Sequence, residues 1–251
     1  MAYENKNQNT IGWQRTRLGN ITGSAVGQIM GTPRGGGDFT KAAISYLNQI
    51  AFERCMSPII VDNDDLFSQY LALTQVNSKA IQWGHQMEGE AAHLFARCFY
   101  KYFGSKDTIP YELELLEPSS VKCEDLEHFA ASPDRMFFNP ETGEECCVEI
   151  KCPQGQAFTK YVRDIFLQDT QEECLQGLKN AEPNYYWQCY AEMLATGASK
   201  TYFVIYNPFQ LRPLYCLEIS RDEAVIEELR NKIILAELYV SELSEKMQGR
   251  M

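Results

Sequence analysis

The sequence lacks long hydrophobic runs, repeats and an apolar N-terminal signal core. Of its 251 residues, 45% are hydrophobic and 12% are aromatic, which is typical of a globular protein. No apolar run approaches the roughly 18 residues that a membrane-spanning helix needs, so we expect no integral membrane protein. The polar N-terminus favours a cytoplasmic location. At this length we expect one α/β domain over residues 1–251, with residues 1–10 as a loose tail.

No C-x-x-C pair occurs, although the chain has nine cysteines. Zinc sites and iron–sulfur clusters need grouped thiolates, and the only group here is Cys146, Cys147 and Cys152 in one strand-like run. We therefore interpret the cysteines as reduced thiols of a cytoplasmic protein, several of them buried as small hydrophobic residues.

Positive charge is scarce, because 23 Lys and Arg residues face 34 Asp and Glu residues and leave a net charge of −11. This balance lowers the expectation of a nucleic-acid partner without excluding one. Binding depends on where the cations lie, and a protein that holds DNA in an internal groove can keep an acidic exterior.

Periodic apolar residues predict helices separated by strands. Residues 57–65 are predicted as a loop, and a polar helix is predicted to begin at Leu66. The order of the elements indicates a central mixed β-sheet flanked by helices. The predicted helices cover residues 22–30, 40–54, 79–103, 156–167, 182–196 and 221–247. The predicted strands cover residues 111–115, 128–138, 145–152, 202–206 and 214–219.

Two carboxylates and a lysine carry the chemistry that the sequence suggests. Glu149 and Lys151 lie two positions apart in a strand, so their side chains share one face. A turn at residues 139–143 would fold the segment carrying Asp134 back beside them. Two carboxylates suit Mg²⁺ and leave coordination positions for water and phosphate oxygens, while the ammonium can stabilise developing negative charge.

Each of these signals is weak when it stands alone. Glu-x-Lys also occurs at Glu4 in the N-terminal tail, and the alternative for Glu149 is a surface ion pair worth little. Glu88 could reach the site from the helix over 79–103, or it could lie on a solvated helix face. Gln188 could hydrogen-bond the nucleophile or a phosphate, or it could be a half-buried structural amide.

Taken together in order, the motifs resemble the phage-type (YqaJ-like) recombination exonucleases of the lambda exonuclease family, within the PD-(D/E)xK nuclease superfamily. The resemblance covers roughly residues 12–220. It rests on RLGNITGS at 17–24, Pro33-Arg34, Trp83-Gly84 with Glu88, Ser132-Pro133-Asp134, EIKCP at 149–153, Tyr185 with Gln188, and Tyr206-Asn207-Pro208.

The resemblance implies a restriction-endonuclease-like core and a Mg²⁺-dependent exonuclease. Such an enzyme degrades one strand of linear double-stranded DNA from the 5′ end, releases mononucleotides and leaves a 3′ overhang. Asp134, Glu149 and the Ile150 carbonyl match the ligands of the metal, with two Mg²⁺ ions expected and Mn²⁺ able to substitute. Lys151 matches the catalytic lysine. Glu88 matches an acidic residue that supports the second ion, and Gln188 matches the active-site glutamine.

The resemblance also implies how DNA is held. Ile81 matches an apolar wedge that splits the terminal base pairs, and residues 35–37 match a glycine loop close to DNA. The segment after Lys151, residues 153–157, lacks the arginine expected to track the DNA groove, and residues 167–183 look like an insertion. The residues that match the pocket for the terminal 5′-phosphate are Arg17, Ser24, Arg34 and Ser132.

The family further implies a ring-shaped homotrimer, a single-strand annealing protein as partner, and the cytoplasm of a bacterial or phage-infected host cell. Two other functions are kept as alternatives. A related endonuclease is opposed by the 5′-phosphate pocket. A catalytically silent DNA-end-binding scaffold is opposed by the intact set of Asp134, Glu149 and Lys151.

Overall fold

The protein is described by a computed structural model that covers residues 8, 10–74, 78–104, 112–117 and 120–249. The strands are β1 (Ile21–Thr22), β2 (Val121–Lys122), β3 (Phe129–Ala131), β4 (Arg135–Phe138), β5 (Glu145–Lys151), β6 (Lys200–Tyr206) and β7 (Leu214–Ser220). The helices are α1 (Ile11–Arg17), α2 (Lys41–Arg54), α3 (Pro58–Asp62), α4 (Asp64–Thr74), α5 (Lys79–Phe103), α6 (Gly155–Tyr161), α7 (Gln171–Ala181), α8 (Pro183–Thr196) and α9 (Glu223–Met247).

A mixed four-stranded sheet in the order β4-β5-β6-β7 positions the predicted site. β5 is parallel to β6, and the outer pairs are antiparallel. A small second sheet has the order β1-β3-β2. The mixed α/β architecture with flanking helices confirms the predicted fold class.

Alternate residues of β5 lie in two different hydrophobic clusters, one on each face of the sheet. Val148 and Ile150 belong to the cluster that contains Phe95 and Phe99 of α5. Cys147 belongs to the cluster that contains α8 and α9. Because side chains alternate along a strand, Glu149 lies on the α8 side of the sheet.

Local sequence explains the helix starts that the pattern predicted well. The Thr40 hydroxyl accepts a hydrogen bond from the Ala43 N–H at 3.1 Å and begins α2. Ser78 does the same for the Ile81 N–H at 3.2 Å and begins α5. These side chains satisfy N–H groups that have no partner inside the helix. None of the helices in the described ranges is long and apolar enough to cross a membrane.

Two strand predictions are wrong in part. The strand predicted over 128–138 is divided into β3 and β4, which join different sheets, because Pro133 has no N–H to donate to a ladder. No strand forms in the described residues 112–117, where Leu116 only bridges to Met136. The Leu113 N–H instead donates to the Ala96 carbonyl of α5 at 3.3 Å. Tyr111 and residues 1–7 and 9 lie outside the described residues.

Three helical predictions need correction. The segment predicted as a helix over 22–30 is a 3₁₀ helix over Gly23–Gln28. The predicted helix 156–167 is α6 followed by a π-helical turn over Val162–Phe166. The predicted loop at 57–65 contains α3, which begins with a proline at its first turn.

The insertion-like stretch 167–183 contains a well-capped helix, α7. Thr170 accepts a hydrogen bond from the Glu173 N–H, and the Glu173 side chain accepts one from the Thr170 N–H. This reciprocal capping box stabilises the start of a helix that apolar periodicity alone did not reveal.

Candidate active site

Asp134 reaches the strand that carries Glu149 and Lys151 through one backbone contact. The register of β4 against β5 places Arg135 opposite Val148. The Asp134 Oδ2 accepts a hydrogen bond from the Ile150 N–H at 2.7 Å. The Gly143 backbone, with a φ of 71°, completes the tight turn between the two strands. The hairpin therefore brings the two predicted carboxylates together, as the sequence indicated.

Glu149 is completely buried, which excludes the alternative of a surface ion pair. Its Oε1 accepts a hydrogen bond from Gln188 Nε2 at 2.7 Å and also contacts the Lys151 ammonium. Its Oε2 is buried and has no hydrogen-bond donor among the described residues. An unsatisfied buried carboxylate oxygen is costly, and it is a group that a bound cation would satisfy.

Lys151 is held as a cation inside the site. Its Nζ lies 5.0 Å from the centre of the Tyr185 ring and is paired with Glu149. Burial opposes the charge, but the carboxylates of Glu149 and Asp134 raise the pKa of Lys151 above its usual value. A lysine that stays protonated is suited to stabilising negative charge and unsuited to accepting a proton.

Glu192 is a further carboxyl group next to Glu149, and the sequence prediction missed it. It lies one helical turn after Gln188 on α8, is 1% exposed, and receives no hydrogen bond from a described donor. Burial and the charge of the neighbouring Glu149 raise the pKa of Glu192 well above its usual range. The neutral form of Glu192 is therefore favoured next to the Glu149 carboxylate.

Asp134 is under a similar influence. Removal from water and the neighbouring Glu149 carboxylate raise the pKa of Asp134 well above its ordinary value, while Lys151 and the Ile150 N–H act in the opposite direction. The protonated form of Asp134 is therefore favoured at this position.

Glu88 lines the same cleft but is bound to a residue that the sequence prediction did not single out. Its Oε1 lies 2.8 Å from Arg135 Nη1, and the other guanidinium nitrogen, Nη2, lies 3.1 Å from Glu117. Arg135 directly follows Asp134, so its position beside the site could have been inferred from the hairpin. The Glu88 side chain is only 25% exposed, which does not fit the alternative of a solvated helix face.

Three of the four predicted 5′-phosphate residues line this cleft of about 570 Å³, together with Ile81. Arg17 Nη2 donates to the Ser24 Oγ at 2.9 Å. The Arg17 guanidinium lies 4.4 Å from the centre of the Trp13 ring, and burial lowers the pKa of Arg17. The Ser132 Oγ is buried and has no hydrogen-bond partner among the described residues. A guanidinium together with an unpaired buried hydroxyl suits an anionic ligand.

Arg34 is the predicted site residue that the structure does not bring to the cleft. It is exposed in the loop between the 3₁₀ helix and α2. The following Gly36 and Gly37 have φ values of 81° and 92°, and a Cβ at either position would meet no neighbour within 4 Å. The loop that carries Arg34 is therefore not packed against other residues at these two glycines.

The residues present fit a metal that prefers oxygen ligands. Within the described ranges, no group of three or more His, Cys, Asp or Glu side chains is arranged to hold a metal ion. Asp134 and Glu149 nevertheless provide two carboxylates, with the buried Glu149 Oε2 still unsatisfied, and Ile150, which lines the same cleft, directly follows Glu149 on β5. Such a donor set suits Mg²⁺ or Mn²⁺ better than a softer metal.

Comparison with known proteins gives both a family and a fold. The profile of the YqaJ-like viral recombinase domain family matches residues 12–199. The structure is similar to an alkaline exonuclease (LHK-Exo) from Laribacter hongkongensis, with a TM-score of 0.65, 20% sequence identity, and coverage of 96% of this chain and 97% of that chain. The same enzyme in complex with dAMP gives a TM-score of 0.66 at 20% identity, with the same coverage.

A phage-related exonuclease from Haemophilus somnus 129PT gives a TM-score of 0.60 at 15% identity, covering 91% of this chain and 96% of that chain. At these identities the structural likeness establishes the fold. A search of curated protein sequences gave no significant match.

Proposed function

The chain belongs to the YqaJ-like viral recombinase family, and on that premise we propose that it is a Mg²⁺-dependent exonuclease acting on linear double-stranded DNA. It degrades one strand from the 5′ end, releases mononucleotides and leaves a 3′ overhang for strand annealing. The observation that carries the proposal is the convergence of Asp134 and Glu149 beside Lys151, with one buried carboxylate oxygen left without a donor.

Asp134, Glu149 and the Ile150 carbonyl would hold the metal. When bound, Mg²⁺ supplies an acidified water and balances negative charge at the phosphorus centre and the leaving oxygen, and two ions would share these tasks. Mn²⁺ could substitute, since oxygen ligands suit both metals.

The side chains around these ligands have separate roles. Gln188 orients the Glu149 carboxylate through its 2.7 Å hydrogen bond. Lys151 keeps a positive charge beside the point where negative charge develops. Glu88 is proposed to support the second ion, which requires it to exchange its contact with Arg135 for that role.

The 5′-phosphate is proposed to bind Arg17, Ser24 and Ser132, which line the same cleft as the carboxylates. Arg34 would join them when its glycine-containing loop closes on DNA, and Ile81, which is 41% exposed at the cleft, would separate the terminal base pairs. A phosphate held beyond the scissile bond would draw the shortened strand forward after each cut.

The assembly and setting follow from the same family membership. We propose a ring-shaped homotrimer, a single-strand annealing protein as partner, and the cytoplasm of a bacterial or phage-infected cell as location. A closed ring would reconcile the net charge of −11 with DNA binding, because basic residues could line only the channel.

The test is digestion of a linear duplex that carries a 5′-phosphate at one end and a 5′-hydroxyl at the other, with Mg²⁺ and with EDTA. Metal-dependent release of mononucleotides from the phosphorylated end supports the proposal. Internal cuts would indicate a related endonuclease. Equal degradation from both ends would contradict the proposed 5′-phosphate pocket. Absence of cleavage with both Mg²⁺ and Mn²⁺ would favour the DNA-end-binding scaffold.

A further inference from the structure

Two aromatic rings stack on each other at the mouth of the cleft. Trp83 of α5 lines the cleft with Lys151, and its ring lies 5.8 Å from that of Phe209 with an angle of 20° between the planes. Phe209 is in the turn between β6 and β7 and is 80% exposed. The outer face of this pair is therefore a flat apolar surface open to water beside the proposed catalytic residues.

The turn that carries Phe209 is fixed to the active-site strand by Asn207, which is buried. The Asn207 Nδ2 donates to the Pro153 carbonyl at 2.9 Å, and its Oδ1 accepts from the Phe209 N–H at 3.0 Å. The Asn207 N–H donates to the Pro213 carbonyl at 2.8 Å and closes the turn. Because Pro153 lies two residues after Lys151, the exposed ring is held in a defined position relative to the catalytic lysine.

The charge of the turn differs from that of the whole chain. Residues 207–213 contain no carboxylate and one cation, Arg212, whereas the protein as a whole has a net charge of −11. The Arg212 guanidinium is exposed and lies 4.1 Å from the centre of the Tyr215 ring. A turn that carries a cation and no carboxylate suits an anionic ligand.

From these observations we propose that Phe209, backed by Trp83, is a stacking platform for an unpaired nucleobase of the DNA substrate. The inference rests on the proposed nuclease function. Every base has a π-face, so stacking here would be independent of sequence, as a nuclease that degrades any strand requires. Continuity with the cleft through Trp83 favours DNA over a protein partner or a second copy of the chain.

The experiment measures the fluorescence of 2-aminopurine, which is quenched when the base stacks on an aromatic ring. The probe is placed in the first unpaired position of a 3′ overhang, or at the 5′-phosphorylated terminal residue, of a short duplex. Binding is measured with Ca²⁺ in place of Mg²⁺ so that the strand stays intact. The variants are Phe209→Ala, Phe209→Tyr and, as a matched control, Phe138→Ala. Phe138 is 60% exposed and lies at the far end of β4.

The wild-type protein should quench the probe in at least one position. Phe209→Ala should abolish the quenching and weaken binding about tenfold, within the range that stacking of one base provides. Phe209→Tyr keeps the ring and should behave like the wild type, as should Phe138→Ala.

Unchanged quenching in Phe209→Ala would overturn the inference. The inference would also be overturned if Phe209→Ala changed the sedimentation coefficient of the protein but not the quenching. The exposed ring would then be a contact between copies of this chain. If the wild type hydrolyses DNA with Mg²⁺ but the quenching results contradict the stacking platform, only the stacking inference is wrong. If the wild type neither binds nor cuts DNA, the proposed function fails with it.

Discussion

Replacing Glu192 with glutamine should change how the stability of the metal-free protein depends on pH. Glu192 is buried against Glu149, and its raised pKa means that the folded protein keeps a proton which the unfolded chain releases. Unfolding therefore releases that proton at any pH between the ordinary glutamate pKa and the raised one. In this interval the free energy of unfolding must fall as the pH rises.

The magnitude follows from the number of protons released. One proton gives a slope of about 1.4 kcal/mol per pH unit. Asp134 also has a raised pKa, so where the two intervals overlap the wild-type slope approaches about twice that value. Glu192→Gln keeps the volume of the side chain, but it removes one titrating group. Its slope should therefore be smaller by up to about 1.4 kcal/mol per pH unit.

The assay is urea unfolding in EDTA at several values between about pH 5 and pH 8, followed by circular dichroism. Glu245→Gln changes the same atoms at an exposed position on α9 and is the matched control. Addition of Mg²⁺ at the upper end of the range should restore stability to the wild type, because a cation replaces the protons among the carboxylates. If Glu192→Gln and the wild type have equal slopes in EDTA, the neutral-acid interpretation of Glu192 is refuted.

Three further predictions concern the proposed catalytic lysine, the proposed phosphate pocket and the packing. Lys151→Ala should lower the rate of DNA hydrolysis by at least about 100-fold and leave DNA binding largely intact, because the variant loses the positive charge that stabilises developing negative charge; rapid cleavage by this variant would show that Lys151 is not catalytic. Arg34→Ala should reduce the preference for 5′-phosphorylated over 5′-hydroxyl ends by no more than about 3 kcal/mol in competition digests, and an unchanged preference would place Arg34 outside the pocket. Gly27→Ala should lower the free energy of unfolding by about 1–3 kcal/mol in urea titrations, because the new Cβ would lie 2.4 Å from Asn184 Oδ1 and 2.7 Å from its Cα. Gly35→Ala, where a Cβ meets nothing within 4 Å, is the control for that measurement.

The parts of the fold that could be predicted are those that depend on neighbours in sequence. The helix over 79–103 was predicted with its observed bounds, since its apolar period and the Ser78 cap are local signals. The pairing of Asp134 with the Glu149 strand was also predictable, because one short turn joins the two segments. The mixed sheet flanked by helices was predictable for the same reason, because the order of the elements follows from local patterns.

What sequence reasoning missed depends on contacts between distant segments. Glu192 looked unremarkable among the residues of α8, yet every residue from Tyr186 to Thr196 is buried. A charged residue one turn after a glutamine, within an apolar helix, was the available signal. The ion pair between Glu88 and Arg135 had no such signal, because it joins α5 to the start of β4. The assignment of catalytic roles and of one domain over residues 1–251 stays a prediction.

The hydrogen bond from Gln188 to Glu149 joins positions that are 39 residues apart, whereas Asp134, Glu149 and Lys151 all come from one hairpin. A chain that has formed only this hairpin holds the two carboxylates proposed to bind the metal and the Lys151 ammonium, but it lacks the Gln188 amide that contacts Glu149. The site becomes complete only when α8 packs against β5. The ability to cut DNA is in this way tied to completion of the fold, and partly folded chains would be harmless to the genome of the cell that makes them.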